Sequence, residues 1–451
     1  MFTNKMVKKR TCLSPTQVLA IGFASIILIG GILLSLPVAS ANGQSIGFIN
    51  SLFEATSAVC VTGLVVVDTG TDLSLFGQIV IITLIQIGGL GFMTAASLIF
   101  LALGKRITLR ERLVMQEALN QFNLEGLVRL TKNVIGVTFI IEGIGALLLS
   151  TRFIPLYGFK KGLYYSIFHA ISAFCNAGFD LIGNYRSLTG FVDDVVINMT
   201  VMGLIILGGL GFSVILDIWH HRRFKKLSLH SKLAVFMTVM LILIGTAFFF
   251  IVEYNNPYTL ADKPLPIKIL ASLFQSVTPR TAGFNTIDQA NLKDASKFMT
   301  ILLMFIGASP ASTGGGIKTV TASVIFFLTV SVVRGRDDIQ VYGKRISHSI
   351  AHRAITITLI SLMLLIGVSM VLSLIEPQPF IDILFETSSA LGTVGLASFD
   401  NGSMSTISKI FVMLTMFAGR VGPLTLTLAL ANRQNQSDNS IRYPEGKVMV
   451  G

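Results

Sequence analysis

The stretch SLFEATSAVCVTG, residues 51–63, interrupts a strongly apolar sequence with small and polar residues and ends on a glycine. Three other stretches share its aliphatic-Phe pair, its run of small residues and its terminal glycine. They are SIFHAISAFCNAG at 166–178, SLFQSVTPRTAG at 272–283 and ILFETSSALGTVG at 383–395. Self-similarity at a spacing of about 105 to 115 residues indicates an internal repeat, so we predict four copies of one structural unit.

The composition indicates a membrane protein. Of the 451 residues, 52% are hydrophobic and 13% are charged, and the mean hydropathy is +0.74, values typical of chains embedded in lipid. Apolar runs long enough to cross about 30 Å of hydrocarbon occur about eight times. They start at Thr16 and lie near residues 74–103, 134–151, 194–219, 233–252, 298–331, 354–375 and 405–431. We therefore expect an all-α integral membrane protein with about eight transmembrane helices.

The charge follows the sides of a membrane. The chain has 35 Lys and Arg against 23 Asp and Glu, a net charge of +12. Many basic residues lie in the N-terminal segment and in three alternate connections: Lys5, Lys8, Lys9, Arg10, Lys105, Arg106, Arg110, Arg112, Arg222, Arg223, Lys225, Lys226, Arg334, Arg336, Lys344 and Arg345. Because such residues accumulate on the cytoplasmic side, a multi-pass protein of the cell membrane with both termini in the cytoplasm is expected. A nucleic-acid partner is excluded, since its binding surface would not track membrane sidedness.

The sequence carries no motif of enzyme chemistry. Its three cysteines, Cys12, Cys60 and Cys175, form no CxxC pair, and no catalytic triad, metal-ligand spacing or cofactor motif occurs. We therefore expect no enzyme activity and no cofactor bound by this chain.

Each repeated stretch lies between two long apolar runs and is itself apolar for only about ten to twelve residues, which is too short to span a bilayer. Such a stretch fits a re-entrant helix followed by a non-helical segment at the glycine. Non-helical backbone survives at membrane depth only when it is buried in protein or lines a water-filled path. Four equivalent segments therefore predict four membrane–pore–membrane repeats, with four re-entrant pore helices, around one pseudo-fourfold ion pore.

The predicted segments suit a cation. Glycine permits backbone torsions that turn consecutive carbonyls toward one axis, rings of carbonyl oxygens replace a cation's hydration shell, and the C-terminal end of each short helix adds negative potential. The predicted filter ligands are main-chain atoms of Val61, Thr62, Gly63, Asn176, Ala177, Gly178, Thr281, Ala282, Gly283, Thr393, Val394 and Gly395. The alternative is that the four glycines are helix-breaking turns in a purely structural bundle.

On these four stretches the chain, from about Pro15 to Asn432, resembles the Trk/Ktr/HKT superfamily of potassium transporters, and within it the bacterial Ktr-type membrane subunits. The resemblance implies a potassium-channel-like pore formed by four units within one subunit. A Ser in place of the first filter glycine accompanies sodium permeation in plant relatives, so Gly63 implies potassium selectivity. The chain starts directly with the first unit, which favours the Ktr type over the TrkH type. Pro279 and Arg280 shift the third stretch by one residue and leave its filter register open.

The predicted organisation follows the repeats. The divisions are a cytoplasmic segment 1–14, repeat 1 at 15–104, a cytoplasmic linker with repeat 2 at 105–219, repeat 3 at 220–332, a cytoplasmic linker with repeat 4 at 333–431, and a cytoplasmic tail at 432–451.

The stretch FIGASPASTGGGIKT, residues 305–319, breaks the sixth apolar run. Pro310 removes a helical hydrogen-bond donor, and three consecutive glycines weaken the helix further. GGGIKT is not a phosphate loop, because Ile317 separates the glycines from Lys318. The residues alone predict a kink or a gate, and the resemblance implies an intramembrane gating loop at 307–317 below the filter. The gate residues are then Ala311, Ser312, Thr313, Gly314, Gly315, Gly316, Lys318 and Arg420.

Arg420 lies near the centre of the last apolar run, where an unpaired charge costs at least about 2.5 to 3.5 kcal/mol. Gly89 and Gly209 occupy the matching positions of repeats 1 and 2, which leaves room for its side chain. Two interpretations stay open. Arg420 is an electrostatic barrier in a cation path, as the resemblance implies, or it pairs with carbonyls of the broken run.

One position inside the repeated stretches carries a polar residue in every copy. These residues are Glu54, His169, Gln275 and Glu386. They either fix the short helices in place or raise the local cation concentration, and we favour the first role.

We expect potassium uptake through an ion-conducting membrane subunit, with potassium bound at the filter as the transported ion. The alternatives are a potassium/sodium-coupled secondary transporter, which would also use broken helices, and a membrane scaffold without ion flux. The resemblance further implies a homodimer in the lipid bilayer and a cytoplasmic KtrA-like RCK regulatory ring that binds ATP or ADP. Sodium as an activator, the gating direction and the affinity for potassium are left open.

Overall fold

The computed structural model describes residues 14–91, 113–114, 116 and 127–422, and the structural statements below concern these residues. The described chain is almost entirely helical. The helices are Pro15–Ser35 (α1), Phe48–Cys60 (α2), Leu75–Leu90 (α3), Leu127–Tyr157 (α4), Phe159–Phe174 (α5), Val195–Leu210 (α6), Phe212–His221 (α7), Leu229–Glu253 (α8), Leu265–Val277 (α9), Asp294–Phe305 (α10), Thr319–Val333 (α11), His348–Ile375 (α12), Phe380–Gly392 (α13) and Thr406–Val421 (α14). Short 3₁₀ turns follow some of them, as at Asn401–Ser403.

A long helix, a short helix and a second helix follow one another four times along the chain, and we call each such group, with the segments that join it, a set. The long helices are α1, α4, α8 and α12, and the second helices begin with α3, α6, α10 and α14. The short helices α2, α5, α9 and α13 contain most of each repeated stretch. The order of elements therefore matches the order of apolar run, repeated stretch and apolar run in the sequence.

Local capping explains where several helices start. Ser14 caps α1 through a capping box with Gln17, and Pro15 occupies the first helical position, where its missing N–H costs nothing. Ser74 and Ser405 accept hydrogen bonds from the first turns of α3 and α14 in the same way. These caps fix the points at which the chain enters the membrane helices.

The short helices form the centre of the fold, and the long helices surround them. Every residue of α2 from Phe53 to Cys60 is buried, and so is every residue of α13 from Phe385 to Gly392. The long helices are only 22% to 33% buried over their most apolar windows. Apolar side chains such as Leu147 and Leu374 are exposed on them, as expected for helices that face lipid.

Four described helices are long and apolar enough to cross a membrane: Pro15–Ser35, Thr131–Tyr157 (the apolar part of α4), Leu229–Glu253 and His348–Ile375. The pair α6–α7 is a fifth span if it is counted as one despite its 97° bend. The sequence predicts about eight. The difference has a physical reason: a hydropathy run does not register a break in the helix, and all the second helices are broken or end early.

The breaks occur at glycines with left-handed backbone torsions. Gly91, Gly211 and Gly422, with φ of 81°, 90° and 94°, end α3, α6 and α14. In the third set the predicted break is confirmed, since α10 ends at Phe305 and α11 begins at Thr319. Residues 92–103 and 423–431, which the predicted spans also include, lie outside the described residues.

A β-hairpin was not expected from the sequence. Strands Ile339–Val341 (β1) and Lys344–Ile346 (β2) pair antiparallel through a two-residue turn at Tyr342 and Gly343, both with positive φ. Ile339 and Ile346 are buried in a small apolar cluster with Leu233 and Val324. The hairpin therefore anchors the connection between α11 and α12 against the helix bundle.

Polar side chains link neighbouring sets of helices at one level. The fourth residues of the second helices are Gln78, Asn198, Lys297 and Lys409. Gln78 accepts from the Tyr164 hydroxyl of α5 at 3.3 Å, Lys297 donates to Asp382 of α13 at 2.7 Å, and Lys409 donates to Asn50 of α2 at 3.1 Å. Asn198 instead donates to main-chain carbonyls of the loop before α6. Three of the four junctions between sets are thus held by a side-chain pair.

Removing one partner of the Lys297–Asp382 ion pair should be costly, because both side chains are largely buried, at 9% and 14% exposed, and the other charge would be left unpaired. We predict that Lys297→Met lowers the free energy of unfolding by about 3 kcal/mol, since it leaves the Asp382 carboxylate without its partner. Lys263→Met is the matched control, because Lys263 and Asp193 are 3.9 Å apart and more exposed. Thermal unfolding in detergent compares the two variants, and equal midpoints would contradict the prediction.

Candidate functional site

A residue with left-handed torsions follows each short helix within four residues. Val61, Asn176, Thr281 and Thr393 have φ of 56°, 59°, 70° and 50°. Two residues later Gly63, Gly178, Gly283 and Gly395 have φ of 94°, 71°, 79° and 93°. We call residues 61–63, 176–178, 281–283 and 393–395 the glycine segments. Left-handed torsions cost β-branched Val and Thr about 1 to 2 kcal/mol each, and such strain clusters at functional sites.

The glycine segments direct their N–H groups back toward the short helices. Thr62 donates to the Ser57 carbonyl at 2.8 Å, Ala177 to the Ser172 carbonyl at 2.7 Å, and Val394 to the Ser389 carbonyl at 2.8 Å. The hydroxyls of Ser57 and Ser389 accept from Gly63 and Gly395 at 3.0 Å. Within the described part of the chain, no main-chain N–H donates to the carbonyls of the middle residues Thr62, Ala177, Ala282 and Val394. These oxygens therefore remain available as ligands.

The third segment reaches the same geometry over a shorter path. Ala282 donates to the Thr278 carbonyl, four residues back, whereas its counterparts reach five residues back. The third stretch is one residue shorter than the other three, and the difference lies between the end of α9 and Thr281. The left-handed residue and the glycine keep the same spacing as in the other three segments, so Thr281 and Gly283 correspond in backbone conformation to Val61 and Gly63.

The four glycines meet in a closed ring in chain order. A Cβ atom added to Gly63 would lie 3.2 Å from the Cα of Gly178, and one on Gly178 would lie 2.9 Å from the Cα of Gly283. A Cβ on Gly283 would lie 3.2 Å from the Cα of Gly395, and one on Gly395 would lie 2.9 Å from the Cα of Gly63. Each added carbon also overlaps a carbonyl oxygen of the next segment. We call this arrangement the glycine ring, and it has no room for side chains.

A cavity of about 490 Å³ lies on one side of the glycine ring and is lined by all four glycines. Four aspartates also line it, one from the chain after each glycine segment: Asp68, Asp180, Asp288 and Asp400. Burial, together with the nearby Asp68, raises the pKa of Asp180 to about 6, although main-chain N–H groups oppose the shift. The cavity therefore concentrates negative charge directly above the ring.

The polar residues at the shared position of the repeated stretches are all fully buried. Glu54 accepts from the N–H groups of Val66 and Val67, and Glu386 accepts from the N–H of Ser398 at 2.9 Å. His169 contacts the N–H of Leu181 at 3.4 Å, and Gln275 pairs with the Gln289 side chain. These side chains thus join each short helix to the chain that leaves its glycine segment, a contact of the kind that the fixing role predicts.

The loop between α10 and α11 lies on the other side of the glycine ring. Gly315 donates to the Thr393 hydroxyl at 3.0 Å, and a Cβ on Gly314 would overlap the Thr281 hydroxyl. Ser309 donates to the Gly209 carbonyl at 2.9 Å, and Thr313 donates to the Gly208 carbonyl at 3.3 Å. The loop is therefore hydrogen-bonded to the second and fourth sets of helices and packs against Thr281 of the third, beneath the ring.

Two cationic side chains bind this loop. Arg420 donates to the carbonyls of Thr313 in the loop and of Gly88 and Gly89 at the end of α3. Lys318 donates to the Gly314 carbonyl at 2.6 Å. The pairing of Arg420 with carbonyls, one of the two interpretations from the sequence, is thus present in the structure. Its charge also lies on the same side of the ring as the loop.

The sequence did not single out a polar cluster behind the second glycine segment. Glu142 of α4, only 5% exposed, accepts from the Gln86 amide at 3.2 Å and lies 3.8 Å from the Cys175 sulfur. The sequence contained a signal for Glu142, because a carboxylate inside an apolar run is rare and usually has a functional role. The four aspartates of the cavity were missed as well, although three of them follow their glycine by five residues.

Comparison with known proteins identifies the family. The sequence profile of the TrkH family, described as cation transport proteins, matches residues 14–443. The chain belongs to this family. The family consists of membrane subunits of ion transporters and not of enzymes, so the resemblance predicted from the four repeated stretches is confirmed.

Curated relatives of this TrkH-family chain are similar over nearly their whole length. The Ktr system potassium uptake protein B of Bacillus subtilis is 45% identical over 438 residues, covering 97% of each chain. The potassium/sodium uptake protein NtpJ of Enterococcus hirae is 41% identical over 452 residues, covering 99% of each. The crystal structure of the potassium transporter TrkH from Vibrio parahaemolyticus superposes with a TM-score of 0.73 at 18% identity, covering 94% of this chain and 86% of that one. This likeness shows that the fold is TrkH-like.

Proposed function

We propose that this protein is the ion-conducting membrane subunit of a Ktr-type potassium uptake system, and that the glycine ring is its selectivity filter. The names of the relatives from Bacillus subtilis and Enterococcus hirae support potassium as the transported ion. The observation that carries the filter assignment is the closed ring of four glycines. The N–H groups of its segments donate to the preceding short helices, and the carbonyls of the middle residues accept no main-chain hydrogen bond within the described residues.

The proposed path starts in the acidic cavity. The four aspartates raise the local cation concentration at the ring. A potassium ion then exchanges its water for carbonyl oxygens of Val61, Thr62 and their counterparts in the other segments. The C-terminal ends of α2, α5, α9 and α13 meet at the ring, and their partial negative charges favour a cation and repel an anion.

We further propose that residues 307–317 and Arg420 form the gate. A guanidinium and a potassium ion 4 Å apart repel each other by about 4 kcal/mol at an effective dielectric constant of about 20. The ion therefore passes only when Arg420 releases the Thr313 carbonyl and moves with the loop. Hydrogen bonds from one loop to the second and fourth sets of helices make such a movement a two-state event, because they break together.

The proposed architecture has four membrane–pore–membrane repeats with the boundaries predicted from the sequence and both termini in the cytoplasm. Three second helices end at Gly91, Gly211 and Gly422, and their continuations would complete the eight spans. A homodimer and a cytoplasmic KtrA-like partner that binds ATP or ADP belong to the same proposal, since the relative from Bacillus subtilis is named as a Ktr system protein.

A potassium/sodium-coupled transporter is the second candidate. The relative from Enterococcus hirae, named as a potassium/sodium uptake protein, is the observation that favours it. In that case sodium would be a second transported ion and not only a possible activator.

The filter is tested by Gly63→Ser. A side chain at Gly63 would overlap the Ala177 carbonyl and disfavour the left-handed torsion, so we expect the preference for potassium over sodium to fall at least about tenfold, or about 1.4 kcal/mol. The measurement is uptake of each ion into transporter-deficient cells that also express the regulatory partner. Gly143→Ser is the control, since a Cβ there meets nothing within 4 Å. Unchanged selectivity in Gly63→Ser would reject the filter and favour the coupled transporter.

The gate is tested by Arg420→Ala. Removing the guanidinium takes away both the barrier and the tether to Thr313, so we expect potassium flux without the regulatory partner to rise about tenfold or more. Arg420→Lys keeps the charge and should keep most of the closure. Arg152→Ala is the control, because Arg152 forms an exposed ion pair with Asp194 far along the chain from the loop. A flux in Arg420→Ala that stays at the unaltered level would contradict the proposed gate.

A further inference from the structure

Three buried oxygen atoms beside the fourth glycine segment have no hydrogen-bond partner. They are Oε2 of Glu386, Oγ of Ser398 and Oδ1 of Asn401. Their residues are 0%, 6% and 3% exposed. Ser398 donates its main-chain N–H to the other carboxylate oxygen of Glu386 at 2.9 Å, and the Asn401 side chain interacts with the same carboxylate. Glu386, Ser398 and Asn401 therefore lie together, and we call this group of side chains the corner.

Leaving these atoms unpaired would be costly. A buried polar group without a partner costs about 1 to 3 kcal/mol, and more when it is charged. Proteins avoid this cost by placing water or an ion at such positions. A single unpaired atom needs only a water, but a carboxylate, a hydroxyl and an amide oxygen together form the all-oxygen set that hard cations take.

The composition of the corner indicates a monovalent ion. Only one of its three oxygens carries a formal charge, whereas divalent ions favour several carboxylates. In the described part of the chain, no group of three or more His, Cys, Asp or Glu is placed to hold a metal ion. An alkali-metal cation, which one carboxylate and neutral oxygens can balance, fits this corner better than calcium or a transition metal.

The first repeat supplies an internal comparison. Glu54 matches Glu386: it accepts from the N–H of Val66 at 2.7 Å, just as Glu386 accepts from Ser398, and its Oε2 is likewise unpaired, so only the Ser398 and Asn401 oxygens are peculiar to the fourth repeat. In the first repeat, however, Val66 and Thr69 occupy the positions of Ser398 and Asn401. Holding the chain after the glycine segment therefore does not require the Ser and the Asn. Their polar atoms in the fourth repeat need a separate explanation.

The corner is accessible from the acidic cavity. Ser398 and Asn401 line the cavity of about 490 Å³ above the glycine ring, and Asp400 lies between them in sequence. A cation that moves from the cavity to the unpaired oxygens, which are themselves closed to solvent, thus does not pass through the ring.

We propose that Glu386, Ser398 and Asn401 bind one dehydrated alkali-metal cation beside the glycine ring and off its axis. This inference rests on the proposed function, because the ions that reach the corner are those that the cavity gathers for the filter. The site acts as a loading position: it holds a cation next to the ring and exchanges it with the cavity, so that the filter is refilled at low external potassium.

The direct test is diffraction from crystals of the full chain in Tl⁺, a potassium substitute with a strong anomalous signal. The variant Ser398→Val with Asn401→Thr gives the fourth repeat the residues of the first. Thr286→Val is the matched control, because Thr286 carries a buried, unpaired hydroxyl away from the corner. We expect a Tl⁺ peak beside Glu386 in the unaltered protein and in Thr286→Val, and its loss in the double variant, with peaks in the ring retained in all three.

Each other outcome overturns a defined part of the account. Ring peaks with no peak beside Glu386 in the unaltered protein, where only water density fills the corner, would reject the off-axis site and leave the filter intact. A peak that persists in the double variant would reject the ligand assignment. The absence of all Tl⁺ peaks would reject the filter and the off-axis site together. If Ser398→Val prevents folding, Asn401→Thr alone removes one ligand and should lower the occupancy of the peak.

Uptake kinetics give a second readout. Loss of two neutral oxygen ligands should raise the apparent KM for potassium about fivefold, with a smaller effect on the maximal rate. Thr286→Val should leave both values unchanged. A double variant with unaltered KM would contradict the loading role, even if the ion is bound.

Discussion

The structure depends on one constraint: polar backbone inside a membrane must be paired or must line water. The glycine segments meet it in a specific way. Their N–H groups return to the carbonyls and hydroxyls of the preceding helices, as Thr62 and Gly63 do at Ser57, and the middle carbonyls stay unpaired. Four such segments stand together only in a closed ring. The central short helices and the lipid-facing long helices follow from that arrangement.

The four repeats are similar in backbone but differ in their side chains, and the differences carry the specialised features. Among the described residues, the long loop beneath the ring belongs to the third repeat, and the fourth repeat has an arginine where the first two have Gly89 and Gly209. A single guanidinium then binds the loop and the end of α3. Four identical subunits would place four such charges at one level. One chain with four repeats permits a single charge there, and it permits the polar corner at Glu386.

Much of the site could be predicted from the sequence, because it lies in the repeats. The four glycines, the break at 305–319 and the position of Arg420 all appear in the structure where the pattern placed them. Contacts between repeats could not be predicted, since they depend on how distant helices meet. Lys297 with Asp382 and Glu142 with Gln86 are examples. The break at Gly211 could not be predicted either, because hydropathy does not detect a glycine with positive φ.

The most direct test of the central claim, that the glycine ring is a potassium-selective pore, is the reversal potential of current through the unaltered protein and its regulatory partner in a lipid bilayer. A selective pore predicts a reversal potential that shifts by about 59 mV for each tenfold change in the potassium gradient and does not respond to the sodium gradient. A reversal potential that moves with both gradients in a fixed ratio would contradict the account, because it would mean that the two ions are transported together.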